Sequence, residues 1–141
     1  MKITQIREKD GVEALSVLDF NLLIEKIKTE IKTRPVTGLR QALHFVLPGE
    51  SCSFAGKLPK VIPAAVFGRV NGVKRMKVYN GIVELTVGPL AGKVEVEMVK
   101  KKAAELPQTM FAYMGSSGNS VKIWTLFTRP DGTLPQTQEE A

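Results

Sequence analysis

Residues 65–79 run Ala65-Val66-Phe67-Gly68-Arg69-Val70-Asn71-Gly72-Val73-Lys74-Arg75-Met76-Lys77-Val78-Tyr79. Two runs rich in β-branched residues flank Asn71-Gly72, a dipeptide that suits a two-residue connection because both residues accept positive φ angles. The segment therefore predicts a β-hairpin. A second Asn-Gly pair, Asn80-Gly81, leads into the apolar run 82–87, which ends at Gly88-Pro89 and predicts a third strand.

Helices are predicted on both sides of these strands. From Asp19 to Ile31 the apolar residues recur at helical spacing, and Asp19 is placed to cap the first free backbone N–H groups. A second helix is predicted from Thr37 up to Pro48-Gly49. The run 93–106 has features of both a strand and a helix, and its length favours a helix.

Two further strands are predicted at Thr109–Met114 and Val121–Phe127, joined by the small-residue turn 115–120. With one strand before the first helix, the order is strand, two helices, three strands, helix and two strands. This order predicts an α+β fold with a mixed, largely antiparallel sheet of about five to six strands and two to three covering helices.

Composition points to one folded domain. The 141 residues are 43% hydrophobic and 24% charged, close to the average for globular proteins. Cys52 is the single cysteine, so an internal disulfide is excluded. The N-terminal residues lack the apolar stretch of a secretory signal, and no run is long enough to span a bilayer. We therefore expect a cytoplasmic protein with no membrane partner.

The charge is concentrated in the middle of the chain. The net charge is +6, and between Lys57 and Lys102 ten basic residues stand against three acidic ones. Such an excess favours contact with a polyanion. A solvated basic surface without a partner explains it equally well.

Few residues have the chemistry of a catalytic site. His44 is the only histidine, which excludes zinc sites built on several histidines and disfavours a nucleophilic triad. We interpret it as a partly exposed surface residue. Cys52 has no basic partner nearby in sequence and is interpreted as a structural or merely tolerated thiol.

The turn 115–120 and the following strand have the composition of an anion site. Backbone N–H groups of a Gly/Ser turn can approach an anion, the hydroxyls of Ser116 and Ser117 add donors, and Lys122 adds charge. The spacing of a P-loop is absent. A simple hairpin turn is the competing interpretation.

Four stretches together resemble the N-terminal domain of virulence-associated protein E-like proteins of bacterial mobile elements. They are 58–67, 79–85, 104–122 and the tail 127–137, so the resemblance extends over nearly the whole chain. It implies a degenerate form of the archaeo-eukaryotic primase fold. Such domains usually precede further domains, often a helicase or an ATPase.

The resemblance also implies a domain division. We expect a single primase-like domain at residues 1–127 and a polar tail at 128–141 that leads to a C-terminal part. Thr137-Gln138-Glu139-Glu140 has the pattern of a capping box, which starts a helix. This pattern predicts a chain that continues, and a frayed natural terminus is the competing interpretation.

Primases of that class hold catalytic metals on an acidic pair at a strand end and contact the nucleotide through a Ser-x-His strand. This chain has Thr86 and Gly88 in place of the acidic pair, and Val121-Lys122-Ile123 in place of Ser-x-His. Side-chain parity leaves Glu84 as the one carboxylate on that face. The resemblance therefore implies no independent catalysis, and Mg²⁺ only if the C-terminal part supplies further acids.

Three functions stay open. The leading hypothesis is binding of nucleic acid, DNA more than RNA, or of a nucleotide phosphate. A module that docks the parent helicase or a replication partner is the second. The third is a metal-dependent nucleotidyltransferase that uses Glu84. The residues of the leading hypothesis are those of the Ser/Gly turn with the lysine that follows it, aided by the basic hairpin: Ser116, Ser117, Gly118, Lys122, Arg69, Lys74, Arg75 and Lys77.

Overall fold

A computed structural model describes residues 1–29, 35–45, 58–137 and 139–140. These residues form three helices and eight strands, and every pairing between strands is antiparallel. The predicted α+β class is confirmed, but the strands divide among three small sheets. The strands are β1 Lys2–Lys9, β2 Val12–Asp19, β3 Lys60–Ile62, β4 Ala65–Val70, β5 Val73–Tyr79, β6 Ile82–Val87, β7 Thr109–Met114 and β8 Val121–Leu126; the helices are α1 Phe20–Lys28, α2 Pro35–Leu43 and α3 Lys93–Ala104.

The first sheet corrects the prediction of a single strand before α1. β1 and β2 form a hairpin whose connection, Asp10-Gly11, has φ angles of 53° and 75°. Asp-Gly is a hairpin signal of the same kind as Asn-Gly, so the sequence did contain the information. β3 pairs with the other edge of β1 and gives the order β2-β1-β3. Its three residues are too few for a periodic pattern.

The hairpin predicted at residues 65–79 is confirmed and forms a two-stranded sheet of its own, called here the basic ribbon. Asn71 and Gly72 have φ angles of 49° and 77°, as a tight hairpin turn requires. Val66 pairs with Val78 but Phe67 pairs with Met76, so Lys77 is the extra residue of a β-bulge.

The ribbon is attached to the first sheet through side chains. The Thr4 hydroxyl on β1 donates to Ala65 O at 2.9 Å and accepts from Phe67 N at 2.7 Å. Thr4 is fully buried, so no water is available to replace these two bonds. Further along β4, Arg69 Nη2 donates to Glu13 O at 3.1 Å. The base and the middle of the ribbon are therefore fixed.

The third sheet has the order β6-β8-β7 and contributes Ile82, Val121, Ile123 and Trp124 to the core. One face packs against α3, and the other face carries Trp124, which is fully buried against Phe20 of α1 and Ile3 of β1. Alternation along β8 sends neighbouring residues to opposite faces. The apolar residues between this sheet and α3 are Val96, Ala103, Val121 and Ile123.

All three predicted helices are present, but α2 begins at Pro35, two residues before the predicted Thr37, and α1 and α2 end at Lys28 and Leu43, before their predicted ends. Asp19 caps α1 by accepting the Asn21 N–H at 3.0 Å. α3 confirms the helical interpretation of residues 93–106. Ile31, Pro48-Gly49 and Cys52 lie outside the described residues. In the part of the chain that the structure describes, no helix has the length and apolar character needed to cross a bilayer.

The first part of the predicted tail packs on the domain. The Phe127 N–H donates to Gly81 O at 2.7 Å, Leu134 lies over Gly81, and Pro135 is buried. Glu140 N donates to Thr137 Oγ1 at 3.3 Å, the bond expected from a capping box.

Candidate functional site

Lys122 lies on β8, the middle strand of the third sheet, opposite Thr86 on β6 and Tyr113 on β7. Its ammonium donates to Glu84 Oε1 at 3.1 Å and to Thr86 Oγ1 at 2.8 Å. Glu84 Oε2 accepts the Trp124 Nε1–H at 2.8 Å. The predicted parity of Glu84 and Thr86 is thus confirmed, and the charge of Lys122 is compensated within the protein.

This polar cluster sits at the border of the aromatic core. The side chains of Lys122 and Glu84 are 33% and 29% exposed, whereas Trp124 is fully buried. Burial raises the pKa of the Tyr113 phenol, and the negative charge of Glu84 raises it further, while a hydrogen bond with Trp124 acts in the opposite direction. The raised pKa keeps Tyr113 protonated at neutral pH.

The Ser/Gly turn 115–120 contacts α2 through Arg40. The Arg40 guanidinium donates from Nε to Ser116 O and from Nη2 to Gly115 O, each at 3.2 Å. Arg40 is a cation that sequence reasoning missed, because its partners lie 75 and 76 residues along the chain and no local pattern connects them.

Several polar groups of this turn already have partners inside it. The Gly115 N–H donates to Ser120 O at 2.9 Å, and the Gly118 N–H donates to Gly115 O at 3.0 Å. The Ser117 hydroxyl donates to Asn119 Oδ1 at 2.6 Å. An anion that reached this turn would compete with these bonds.

The geometry offers little support for a metal centre on β6. A Cβ at Gly88 would lie 3.0 Å from Asn119 O, so the position has no room for a carboxylate side chain without a shift of the backbone. Glu84 is already bound to Lys122 and Trp124. Within the ranges that the structure describes, no three His, Cys, Asp or Glu side chains form a group that could hold a metal ion.

The basic ribbon presents a second set of cations. Lys74, Arg75 and Lys77 on β5 are exposed, and none of them has an ion-pair partner among the described residues. Arg69 differs from them, because its guanidinium donates to Gly72 O and Glu13 O and holds the ribbon together.

The predicted site residues therefore fall into two groups on different sheets. Lys122 lies on the third sheet and Ser116, Ser117 and Gly118 in its β7–β8 turn, while Arg69, Lys74, Arg75 and Lys77 belong to the ribbon. No hydrogen bond or ion pair joins the two groups in the described part of the chain. His44 is exposed, as expected.

Residues 53–141 match the family model described as BT4734-like, N-terminal domain. The chain belongs to the BT4734-like N-terminal domain family. The matched part of this BT4734-like domain begins before β3 and contains the basic ribbon, the polar cluster and the C-terminal segment that packs on Gly81. The elements β1, β2, α1 and α2 precede the matched part. No curated protein and no solved structure matches the chain. The resemblance to virulence-associated protein E-like proteins stays a prediction.

Proposed function

We propose that this BT4734-like domain is a nucleic-acid-binding module whose contact surface is the basic ribbon. The supporting observation is that Lys74, Arg75 and Lys77 are exposed and have no acidic partner among the described residues. A cation without an ion-pair partner binds a phosphate and releases counterions without first breaking an ion pair. Lys122 would have to leave Glu84 first.

We also propose a cellular context on the basis of the resemblance alone. The domain would be the opening part of a virulence-associated protein E-like, primase-like protein of a bacterial mobile element. It would act in the cytoplasm and hold DNA for the domains that follow it. This role requires no catalysis by the domain itself, which agrees with the replacement of the acidic pair by Thr86 and Gly88.

The test is a fluorescence-anisotropy titration with DNA at several salt concentrations. The variant Lys74→Gln/Arg75→Gln/Lys77→Gln removes the three ribbon cations. The matched control Lys93→Gln/Lys101→Gln/Lys102→Gln removes the same charge from α3. We expect the ribbon variant to bind more weakly, with a slope of log K against log salt that is smaller by about 0.9 for each lost phosphate contact, while the control keeps its slope.

Two results would contradict the proposal. An equal loss in both variants would mean that net charge alone attracts the DNA. An absence of binding by the native chain even at low salt would favour the alternative of a module that docks the parent helicase or a replication partner.

A further inference from the structure

The basic ribbon has two unequal faces. Directly opposed residues of an antiparallel pair share a face, and successive residues alternate between faces. Phe67 pairs with Met76, and both are half-buried. The other face carries the pair Val70 and Val73, which are 46% and 56% exposed at the end of the ribbon. This second face is called here the open face.

The open face combines cations with this apolar pair. Arg75 lies on it because it pairs with Gly68, two residues from Val70. The side chain of Lys77 extends across Gly68, where a Cβ would collide with the Lys77 side chain. The bulge and the glycine thus bring Lys77 onto the same surface as Arg75. The open face has a valine pair at the tip and two cations behind it.

The ribbon lacks the features that hold a single strand. Single-stranded nucleic acids are held largely by stacking of their bases on exposed aromatic rings. The ribbon has two aromatic residues, and neither is exposed. Phe67 is half-buried with the Lys74 ammonium 5.7 Å from its ring centroid, and Tyr79 is half-buried opposite the buried Ala65. Base stacking is therefore not what this surface provides.

The shape of the ribbon fits one groove of a duplex. Two strands about 4.8 Å apart, with their side chains, match the major groove of B-form DNA, which is about 12 Å wide. The six residues of β4 give a length of about 20 Å at roughly 3.3 Å per residue. The major groove of A-form RNA is too deep and narrow for side chains to read.

We propose that the open face of the ribbon enters the major groove of B-form duplex DNA. In this arrangement Arg75 and Lys77 bind the phosphates, and Val70 and Val73 contact base edges, where the methyl group of thymine is the apolar partner. The inference rests on the proposed function and adds the form of the nucleic acid and the side of the ribbon that meets it.

The first experiment compares four ligands at one salt concentration: a DNA duplex, the RNA duplex of the same sequence and each separate DNA strand. We expect the DNA duplex to bind about tenfold more tightly than the others. With the native chain, the major-groove ligand methyl green should displace the protein, whereas the minor-groove ligand netropsin should not.

The second experiment uses Val70→Thr/Val73→Thr, which keeps β-branched side chains in the strands and replaces one methyl group of each by a hydroxyl. We expect duplex affinity to fall about threefold to tenfold with an unchanged salt slope, since no phosphate contact is lost. The control is Val12→Thr/Val17→Thr, the same change at two exposed valines of β2. It should bind like the native chain.

The outcomes separate this inference from the proposed function. Equal binding of duplex and single strands, equal binding of the RNA duplex, or displacement by netropsin alone would overturn the inference while leaving nucleic-acid binding intact. Equal losses in the two valine variants would also overturn it. If no ligand binds, the proposed function fails as well.

Discussion

Glu84 binds two side chains at once, Lys122 and Trp124. Lys122 therefore already has an internal partner, from which a ligand would have to displace it. One carboxylate oxygen accepts the N–H of a fully buried indole, and the other pairs with the Lys122 ammonium. A buried N–H without an acceptor costs about 1–3 kcal/mol. Glu84 is therefore held in place by Trp124, whether or not Lys122 is present.

Two substitutions distinguish a structural Lys122 from a phosphate-binding one. Lys122→Ala removes a partly exposed ion pair and should lower the free energy of unfolding by about 1 kcal/mol, measured by urea denaturation. Glu84→Gln keeps an acceptor for Trp124 but removes the negative charge that compensates Lys122.

We expect both variants to bind DNA like the native chain. If instead Lys122 binds phosphate as the sequence predicted, Lys122→Ala should weaken DNA binding and Glu84→Gln should strengthen it. Opposite changes in the DNA affinities of the two variants would place the DNA-binding site at Lys122 and the Ser/Gly turn.

A single hydroxyl makes two of the hydrogen bonds that attach the ribbon to the first sheet. Thr4 accepts from one backbone group of β4 and donates to another, across 61 and 63 residues of sequence. Local patterns predicted the hairpin itself, since Asn71-Gly72 and the alternating residues around it are close together in sequence. They could not predict its attachment, or the division of eight strands into three sheets, because both depend on contacts far apart in the chain.

Thr4→Val tests this attachment. The change keeps the β-branched shape but leaves Phe67 N and Ala65 O without their partner, so the free energy of unfolding should fall by about 2–4 kcal/mol. Thr4→Ser retains the hydroxyl and loses one buried methyl group, which should cost about 1 kcal/mol. Urea denaturation measures both. A larger loss in Thr4→Ser than in Thr4→Val would mean that the methyl group, and not the hydroxyl, stabilises the junction.

At the scale of the whole molecule, the predicted domain boundary at residue 127 can be tested by substituting Leu134, which lies beyond it. The segment after β8 is short of apolar residues, so the sequence predicts a polar tail. In the structure Leu134 is half-buried over Gly81 and the next residue, Pro135, is buried. Composition could not show this contact, because Gly81 lies more than fifty residues earlier in the sequence.

Leu134→Ala should lower the free energy of unfolding by about 1–2 kcal/mol if the tail is part of the domain. Leu106→Ala is the control, because that side chain is 57% exposed after α3 and should change stability by less than about 0.5 kcal/mol. Thermal or urea unfolding reports both values. Equal stabilities of the two variants would support the boundary at residue 127.

Local sequence patterns also predicted only part of the candidate site, because its other contacts join residues far apart in the chain. The basic residues of the ribbon were identified from charge and strand pattern, and they are exposed as that pattern predicts. The pairing of Lys122 with Glu84 and the contact of Arg40 with the Ser/Gly turn depend on strand and helix packing over 38 and about 75 residues. Neither could be read from a single sequence.

The ribbon is attached to the rest of the domain mainly at its base. Thr4 holds its base, and in the described part of the chain the Asn71-Gly72 tip is linked to another element only through Arg69, which donates to both Gly72 O and Glu13 O. Local motion of such a hairpin increases toward its tip, because few contacts oppose it there. A tip that bends while its base stays fixed can follow variations in the curvature of the surface that it touches.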